Sequence, residues 1–277
     1  MKTKRTVTAL LCTALLFSCV FTSFAAGDSI DVRLNGDPVS LSSSPVILSQ
    51  DLDQGLYVPM LSFCDMMGAN VTKWDANAKT ALAVFRDFAL DASAGSTCLT
   101  ANGRCFYVEN GCVQQGEDLL VPVSALASAL DADYRYDSAE GILYITTGTG
   151  RIESGSDYYD QEDLYWLAHI IQAEAGSESF LGKVAVGNVV MNRVRSGSFP
   201  STVYDVVWDN SCGVQFSPTI DGSIYNTPSA DSYTAAKLAL DGAAPVENCL
   251  FFASIKNCWA AYNRSYFTTI GHHDFYR

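Results

Sequence analysis

The sequence predicts an α+β protein built as two domains, and three observations carry that reading. Strand-like alternation dominates the first half of the 277 residues, as in Ile30-Asp-Val-Arg-Leu34 followed by the turn signal Asn35-Gly36. Long helical periodicities dominate the second half. Between them, Gly148-Thr-Gly-Arg-Ile-Glu-Ser-Gly-Ser-Asp157 is short, polar and rich in Gly and Ser, the composition of a linker. The expected organisation is a smaller β-rich α+β domain over 27–148, a linker over 149–157 and a second domain over 158–277.

Ahead of these lies an export signal over residues 1–25. Met1-Lys-Thr-Lys-Arg5 is basic, an apolar run extends from Val7 to Val20, and Ser23-Phe24-Ala25 supplies small residues for cleavage. A membrane anchor is the alternative, but the polar Gly27-Asp28-Ser29 that follows favours removal, so no stable membrane insertion is expected. An exported protein with seven cysteines after residue 25 (Cys64, Cys98, Cys105, Cys112, Cys212, Cys249 and Cys258) is expected to pair most of them as structural bridges and leave an odd thiol. Zinc binding is the rival use of those cysteines, and no C-x-x-C spacing supports it.

Both halves are acidic. Residues 27–148 carry 16 acids against 6 bases, and residues 149–277 carry 14 against 8. No basic stripe exists to meet nucleic acid, nor a field to draw in an anionic polymer over long range. A polysaccharide partner must be held by short-range hydrogen bonds and stacking.

The first domain contains an internal repeat. Leu56-Tyr-Val-Pro59 through Trp74-Asp75 aligns with Leu119-Leu-Val-Pro122 through Tyr136-Asp137. Each copy reads as a strand, a Pro-started helix, a turn and a further strand, through Ala81–Val84 or Ile142–Ile145. Pro59 and Pro122 suit a first helical turn, where no amide donor is lost. The Leu-Asn-Gly, Tyr-Val-Pro and Trp-Asp signatures over about 29–147 resemble the copper-amine-oxidase N-terminal-like domain, a non-catalytic module. No His cluster accompanies them, so no oxidase chemistry follows. A plain scaffold and a wall-binding module both remain open for this half.

In the second domain, Asp160–Gly176 reads as an amphipathic helix with Leu164, Leu167, Ala168, Ile171 and Ala175 on its apolar stripe. Glu174 lies at the edge of that stripe. A partly desolvated carboxyl there has a raised pKa, the condition for a general acid near neutral pH, although a solvated glutamate near a helix end is the common case. Gly176 is expected to stop the helix and Ser177 or Ser179 to cap the next, whose apolar face runs Phe180, Val184, Gly187, Met191 and Val194. Gly187 suggests close helix packing.

Six blocks then occur in order: Ala173-Glu-Ala-Gly-Ser-Glu178, Val184–Val194, Phe199-Pro-Ser-Thr-Val203, Gln215-Phe-Ser-Pro218, Asp221-Gly222 and Thr269-Ile-Gly-His-His-Asp-Phe275. Together they resemble the spore cortex-lytic (SleB-like) family of cell-wall hydrolases over about residues 162–277. That resemblance implies a lysozyme-like catalytic domain cutting peptidoglycan glycan strands as a lytic transglycosylase, in a secreted protein of the cell wall or spore envelope. It implies no metal and no cofactor. It places the catalytic acid on Glu174 and substrate-binding roles on Glu178 (the motif's second acid), on Gln215, Phe216 and Ser217 of a cleft loop, and on the terminal histidine His273, with His272 in a variable slot. The chain departs from the family pattern at Gly176, where an arginine is usual.

Two alternatives stay open. Glu174 working with a second carboxylate would make a hydrolytic muramidase, and a second domain without turnover would be a wall-binding protein. Tyr225, Trp259 and Tyr262 are candidate sugar-stacking residues, though buried aromatics are commoner. With only His169, His272 and His273 present and no H-E-x-x-H, a zinc peptidase lacks its ligands. No cysteine sits in a nucleophile motif of an endopeptidase.

Overall fold

The structure is a computed structural model that describes residues 29–51, 55–149, 152–254 and 258–277. The expected signal lies outside the described residues. No helix among those described is long and apolar enough to cross a membrane.

In the first half, strands β1 (Asp31–Leu34), β2 (Asp37–Val39), β3 (Val46–Ile47) and β4 (Leu56–Pro59) lead into helix α1 (Met60–Met66). Strands β5 (Val71–Asp75), β6 (Thr80–Val84), β7 (Ala89–Ser93), β8 (Cys98–Ala101) and β9 (Arg104–Tyr107) follow as an antiparallel meander. Then come β10 (Val113–Gln115), β11 (Asp118–Pro122), α2 (Val123–Ala129), β12 (Ala132–Asp137) and β13 (Ile142–Thr147). The turn expected at Asn35-Gly36 forms, with both residues at positive φ (52° and 96°), which Asn and Gly tolerate best.

The repeat is visible in the pairing. Strands β4 and β11, the equivalent strands of the two copies, run antiparallel with Val58 opposite Val121. Those two positions are themselves equivalent, so the copies face each other about a local two-fold. Pro59 and Pro122 end their strands and sit one position earlier than expected, as the N-cap of α1 and α2. The extended ψ of 116° and 134° there suits the last residue of a strand, and a proline gives up no ladder donor at such an end. Strand β1 pairs in parallel with β13, from Asp31 opposite Ile142 to Leu34 opposite Ile145, and so ties the start of this unit to its end. The core between the sheets gathers Leu56, Val58, Phe63, Leu90, Leu99, Leu119, Leu126 and Ile145.

The segment expected as a free linker is folded in its second part. Ile152 is buried in the first core, its carbonyl accepts from Asn102 Nδ2 at 2.9 Å, and Gly155 N donates to the Asn102 carbonyl at 2.8 Å. A short helix, α3 (Gly155–Tyr158), begins there. A Cβ on Gly155 would lie 2.3 Å from the Gly103 carbonyl oxygen, so glycine is required by this close approach.

The second half is helical first. Helices α4 (Gln161–Ala175), α5 (Phe180–Arg195), α6 (Val203–Val207), α7 (Pro218–Asp221) and α8 (Ala230–Leu240) precede β14 (Phe251–Ala253), α9 (Trp259–Asn263), β15 (Tyr266–Ile270) and β16 (His273–Tyr276). Asp160 caps α4 by accepting from the amides of Glu162 and Asp163, and Ser179 caps α5 by accepting from Gly182. Helix α5 is enclosed rather than amphipathic. Val184, Val186 and Val190 enter the cluster shared with α4 and α8, whereas Ala185 and Val189 enter a second one with Cys249 and Phe275 of the terminal sheet. Gly187 is the contact point of three helices: a Cβ there would meet Ile171 Cδ1 at 2.9 Å and Ala239 Cβ at 3.0 Å.

The two halves are clasped. Arg104 of β9 forms an ion pair with Asp241 at the end of α8, and the Tyr159 hydroxyl donates to the same carboxylate. Tyr159 also accepts from the Cys105 amide at 3.1 Å, Lys237 Nζ donates to the Gly103 carbonyl at 3.1 Å, and Cys105 is buried in the core of the second half.

The expected disulfides are not formed. All seven cysteines among the described residues are free thiols. Cys64 and Cys112 sit in the first core, Cys249 sits in the terminal cluster and Cys212 is exposed. Cys98 and Cys105 lie diagonal across the β8–β9 ladder, and their side chains hydrogen-bond each other.

Candidate active site

Glu174 lies on the last turn of α4, half-buried, one residue before the fully buried Ala175. Among the described residues its carboxyl makes no hydrogen bond. Burial pushes its pKa up, the nearby Asp221 carboxylate pushes it further, and Arg193 opposes both, leaving it at about 7 against an ordinary 4.5. At neutral pH the group is thus close to half protonated, able both to give and to take a proton.

Arg193, on the last turn of α5, is 4 % exposed. Its Nε donates to the Leu250 carbonyl at 2.8 Å, and its guanidinium lies against Phe199, Phe216 and Phe251. Its Nη1 is buried without a partner among the described residues. Burial lowers its pKa to about 10, with Asp209 and Glu174 pulling the other way, so it remains a cation at neutral pH. Asp221 stays ionised beside Glu174 because the Ser223 side chain and amide both donate to it, the amide at 2.8 Å.

The chain between the two motif acids turns sharply. Lys183, buried in α5, donates its Nζ to the carbonyls of Gly176 (3.0 Å) and Glu178 (2.7 Å), satisfying the groups freed where α4 ends. The turn directs Glu178 elsewhere. Its Oε2 accepts from the His272 amide at 3.1 Å and its Oε1 meets His272 Nδ1 at 2.9 Å. These bonds hold its pKa below the usual carboxylate range, the His272 backbone donor first and its ring second. A Cβ on Gly271 would lie 1.9 Å from Glu178 Oε2, so this glycine leaves the space the carboxylate occupies.

The histidine that meets Glu178 is therefore His272, not His273. His273 is 5 % exposed, packed edge-on to Phe252 at 5.1 Å, with a buried, unpartnered Nδ1. Burial lowers its pKa. Phe216 is enclosed in the core beneath Arg193 and supports the site rather than facing solvent. Ser217 is exposed at the start of α7, and Gln215 lines an open cavity, its Nε2 donating to the Gly213 carbonyl at 3.0 Å. Of the three candidate stacking aromatics, Tyr225, Trp259 and Tyr262 are all exposed. No three His, Cys, Asp or Glu side chains among the described residues could hold a metal ion together.

The sequence reading missed Arg193 and Asp221 as partners of Glu174. A signal for Arg193 existed: it follows Val186 and Val190 on a buried line of α5, where a charge is out of place.

With this geometry in place, the comparisons define the class. Residues 177–276 match the family described as Cell Wall Hydrolase, and residues 33–145 match the copper amine oxidase N-terminal domain. The second half of the chain is thus similar to cell wall hydrolases over residues 177–276, and the first half to the copper amine oxidase N-terminal domain over residues 33–145. Glu178, Gln215, Phe216, Ser217 and His273 fall inside the hydrolase match, and Glu174 lies three residues before it. Among relatives, a spore cortex-lytic enzyme of Bacillus cereus is 37% identical over 94 residues, 34% of this chain and 35% of that protein. A spore cortex-lytic enzyme of Bacillus subtilis is 31% identical over 94 residues, 34% of this chain and 30% of that protein. The chain thus spans about a third of the length of the curated relatives it matches. The solved catalytic domain of the germination-specific lytic transglycosylase SleB from Bacillus anthracis is 32% identical, with a TM-score of 0.40, covering 46% of this chain and 100% of that one.

Proposed function

We propose that the chain cleaves peptidoglycan glycan strands between N-acetylmuramic acid and N-acetylglucosamine, as a lytic transglycosylase that leaves 1,6-anhydromuramic ends. The observation that carries this reading is the contrast between the two motif acids. Glu174 has a pKa of about 7 and no hydrogen-bond partner among the described residues, whereas Glu178 is committed to the His272 turn. One carboxyl is free to move protons, which is what this reaction needs.

Protonated Glu174 gives its proton to the glycosidic oxygen as the C1–O bond breaks. Oxocarbenium character on the muramic ring is stabilised by the neighbouring acetamido group, a substrate-assisted route known among glycosidases. Glu174, now a carboxylate, takes the proton from the muramic C6 hydroxyl as its oxygen bonds to C1, closing the anhydro ring and restoring the acid. No cofactor enters.

A second reading follows from Asp221. An ionised carboxylate near Glu174 is the arrangement of a two-acid hydrolase, which would release reducing muramic ends. Mass analysis of purified cell walls digested with the protein separates the two. Anhydromuramic ends support the transglycosylase, reducing ends support Asp221-assisted hydrolysis, and intact walls with bound protein support a wall-binding protein without turnover.

The same reading extends to the rest of the chain: residues 1–25 as a removed export signal, 27–148 as a non-catalytic domain and 158–277 as the catalytic one. It also assigns substrate contacts to Gln215 and Ser217, with Glu178, Phe216 and His273 holding the cleft in shape. Homologues described as spore cortex-lytic enzymes support a wall or spore-envelope location.

A further inference from the structure

Five arginines lie against aromatic rings among the described residues, and four of them have an acid to answer. Arg104 pairs with Asp241, Arg135 with Asp137 and Arg277 with Glu247, while Arg193 sits in the field of Asp209 and Glu174. Arg264 differs. Its guanidinium lies 4.7 Å from the centre of the Trp259 ring and 4.8 Å from that of Phe251. Its hydrogen bond is a long one, from Nη1 to the Asn263 carbonyl at 3.3 Å. No carboxylate among the described residues pairs with it.

Arg264, Trp259 and Phe251 line a cavity of about 690 Å³ together with Gln215, Asp209 and Arg277. Its one side-chain carboxylate, Asp209, accepts from the Ser211 amide at 2.9 Å and interacts with Arg193 below. Arg277 has Glu247. Beneath the wall formed by Phe199 and Phe251 lies Arg193, whose buried Nη1 has no partner. The surplus side-chain charge of this cavity is therefore positive, in a chain whose formal net charge is −13. Trp259, 57 % exposed, lines the cavity as well.

We propose that this cavity is a subsite for the carboxylate carried by a muramic residue of the glycan strand, with Arg264 as its charge partner and Trp259 as the stacking wall for the sugar. The inference rests on the reading of peptidoglycan as substrate. An acidic protein cannot gather an anionic polymer by its long-range field, so the attraction must be short-range, and a fixed local cation beside a stacking ring supplies it here. Stacking on two rings pre-orders the guanidinium and leaves its N–H edge for a bidentate carboxylate contact. Two sources carry that chemistry: the lactyl carboxylate of the sugar itself, and the first acidic residue of a peptide amide-linked to it.

The test reads the indole signal of Trp259 by NMR in the full chain, assigned with Trp259→Phe, during titration with three probes. These are N-acetylglucosamine, N-acetylmuramic acid and N-acetylmuramoyl-L-alanyl-D-glutamate. At least one carboxylate probe should saturate at a concentration about tenfold below N-acetylglucosamine, equivalent to about 1.4 kcal/mol, and the tighter of the two names the source. Arg264→Gln should abolish that advantage, and Arg264→Lys should restore only part of it. Equal affinity for all three probes, or an advantage that survives Arg264→Gln, overturns the proposal. Turnover is not read in this experiment. A selective binder that leaves walls intact keeps the subsite and refutes the activity, whereas an active enzyme without selectivity refutes the subsite alone.

Discussion

Replacing Glu174 by Gln should stabilise the protein at alkaline pH while removing its activity. The side chain keeps its size, so the perturbation is the loss of one titrating proton. A carboxyl whose folded pKa is raised from 4.5 to about 7 favours the fold most below pH 4.5, and that advantage is lost as pH rises to about 7. The full difference corresponds to about 3 kcal/mol, with the Arg193 attraction already included in the value of about 7. The amide has no such dependence. Glu174→Gln and wild type should therefore match at pH 4, and the variant should gain up to about 3 kcal/mol at pH 8, where each kcal/mol moves Tm by roughly 2–4 °C for a chain of this size. Turnover on cell walls should fall by about 10²–10⁴, the usual loss with a general acid–base group, and the wild-type rate should decline above pH 7 as the acid form disappears. Thermal unfolding at several pH values, with reducing-end and anhydro-end assays, measures both. A variant with wild-type turnover, or a stability difference that does not grow between pH 5 and 8, would refute the assignment.

Four further outcomes follow from the geometry. Glu178→Gln should lower turnover far less than Glu174→Gln. Because the Glu178 pKa is depressed, its contribution to stability exists above the ordinary carboxylate pKa and is lost as pH falls through the folded value, so acid-unfolding curves of variant and wild type should converge at low pH. Asp241→Asn should cost about 3 kcal/mol in urea unfolding, since it strands the largely buried Arg104; an unchanged midpoint would mean the clasp holds nothing. Gly187→Ala gains up to about 1 kcal/mol of helix propensity but forces contacts of 2.9 and 3.0 Å with Ile171 and Ala239. A net loss of about 1 kcal/mol in the same assay is expected from overpacking. Thiol titration of denatured protein lacking residues 1–25 and kept under reducing conditions should find seven thiols, and mild oxidation should remove only the Cys98–Cys105 pair, leaving five; other bridged pairs in peptide mapping would contradict the free thiols of the fold.

What was legible in the sequence is what local chemistry determines. Asp160 and Ser179 announced the starts of α4 and α5, Gly187 announced the helix crossing, and the repeat announced two strand–helix–strand copies. The place of Glu174 at the edge of an apolar stripe made a raised pKa expected, but it was the family resemblance that singled it out as the acid. Long-range partners were not legible. Glu178 meets His272 across 94 residues, and Arg104 meets Asp241 across 137. No periodicity encodes either pairing. The cysteines misled for a related reason: an export signal argues for bridges, but pairing depends on which strands become neighbours.

The departure at Gly176 shows how the two motif acids come to differ. Its backbone is right-handed (φ −55°, ψ −33°), so no left-handed turn demands glycine there. Space does: a Cβ would lie 2.5 Å from both the carbonyl oxygen and Nε2 of Gln172. Gln172 is not free to retreat, because its Oε1 accepts from the Ser229 amide and the Ser232 hydroxyl, each at 2.9 Å, and so braces the start of α8 against α4. The glycine thus lets the helix end tightly over Gln172, and Lys183 closes the turn by binding the carbonyls of Gly176 and Glu178. Glu174 is left on the buried last turn, desolvated and unpartnered among the described residues, while Glu178 is carried four residues on to the hairpin of β15 and β16. A larger side chain at position 176 would have to displace Gln172 and loosen the brace between α4 and α8.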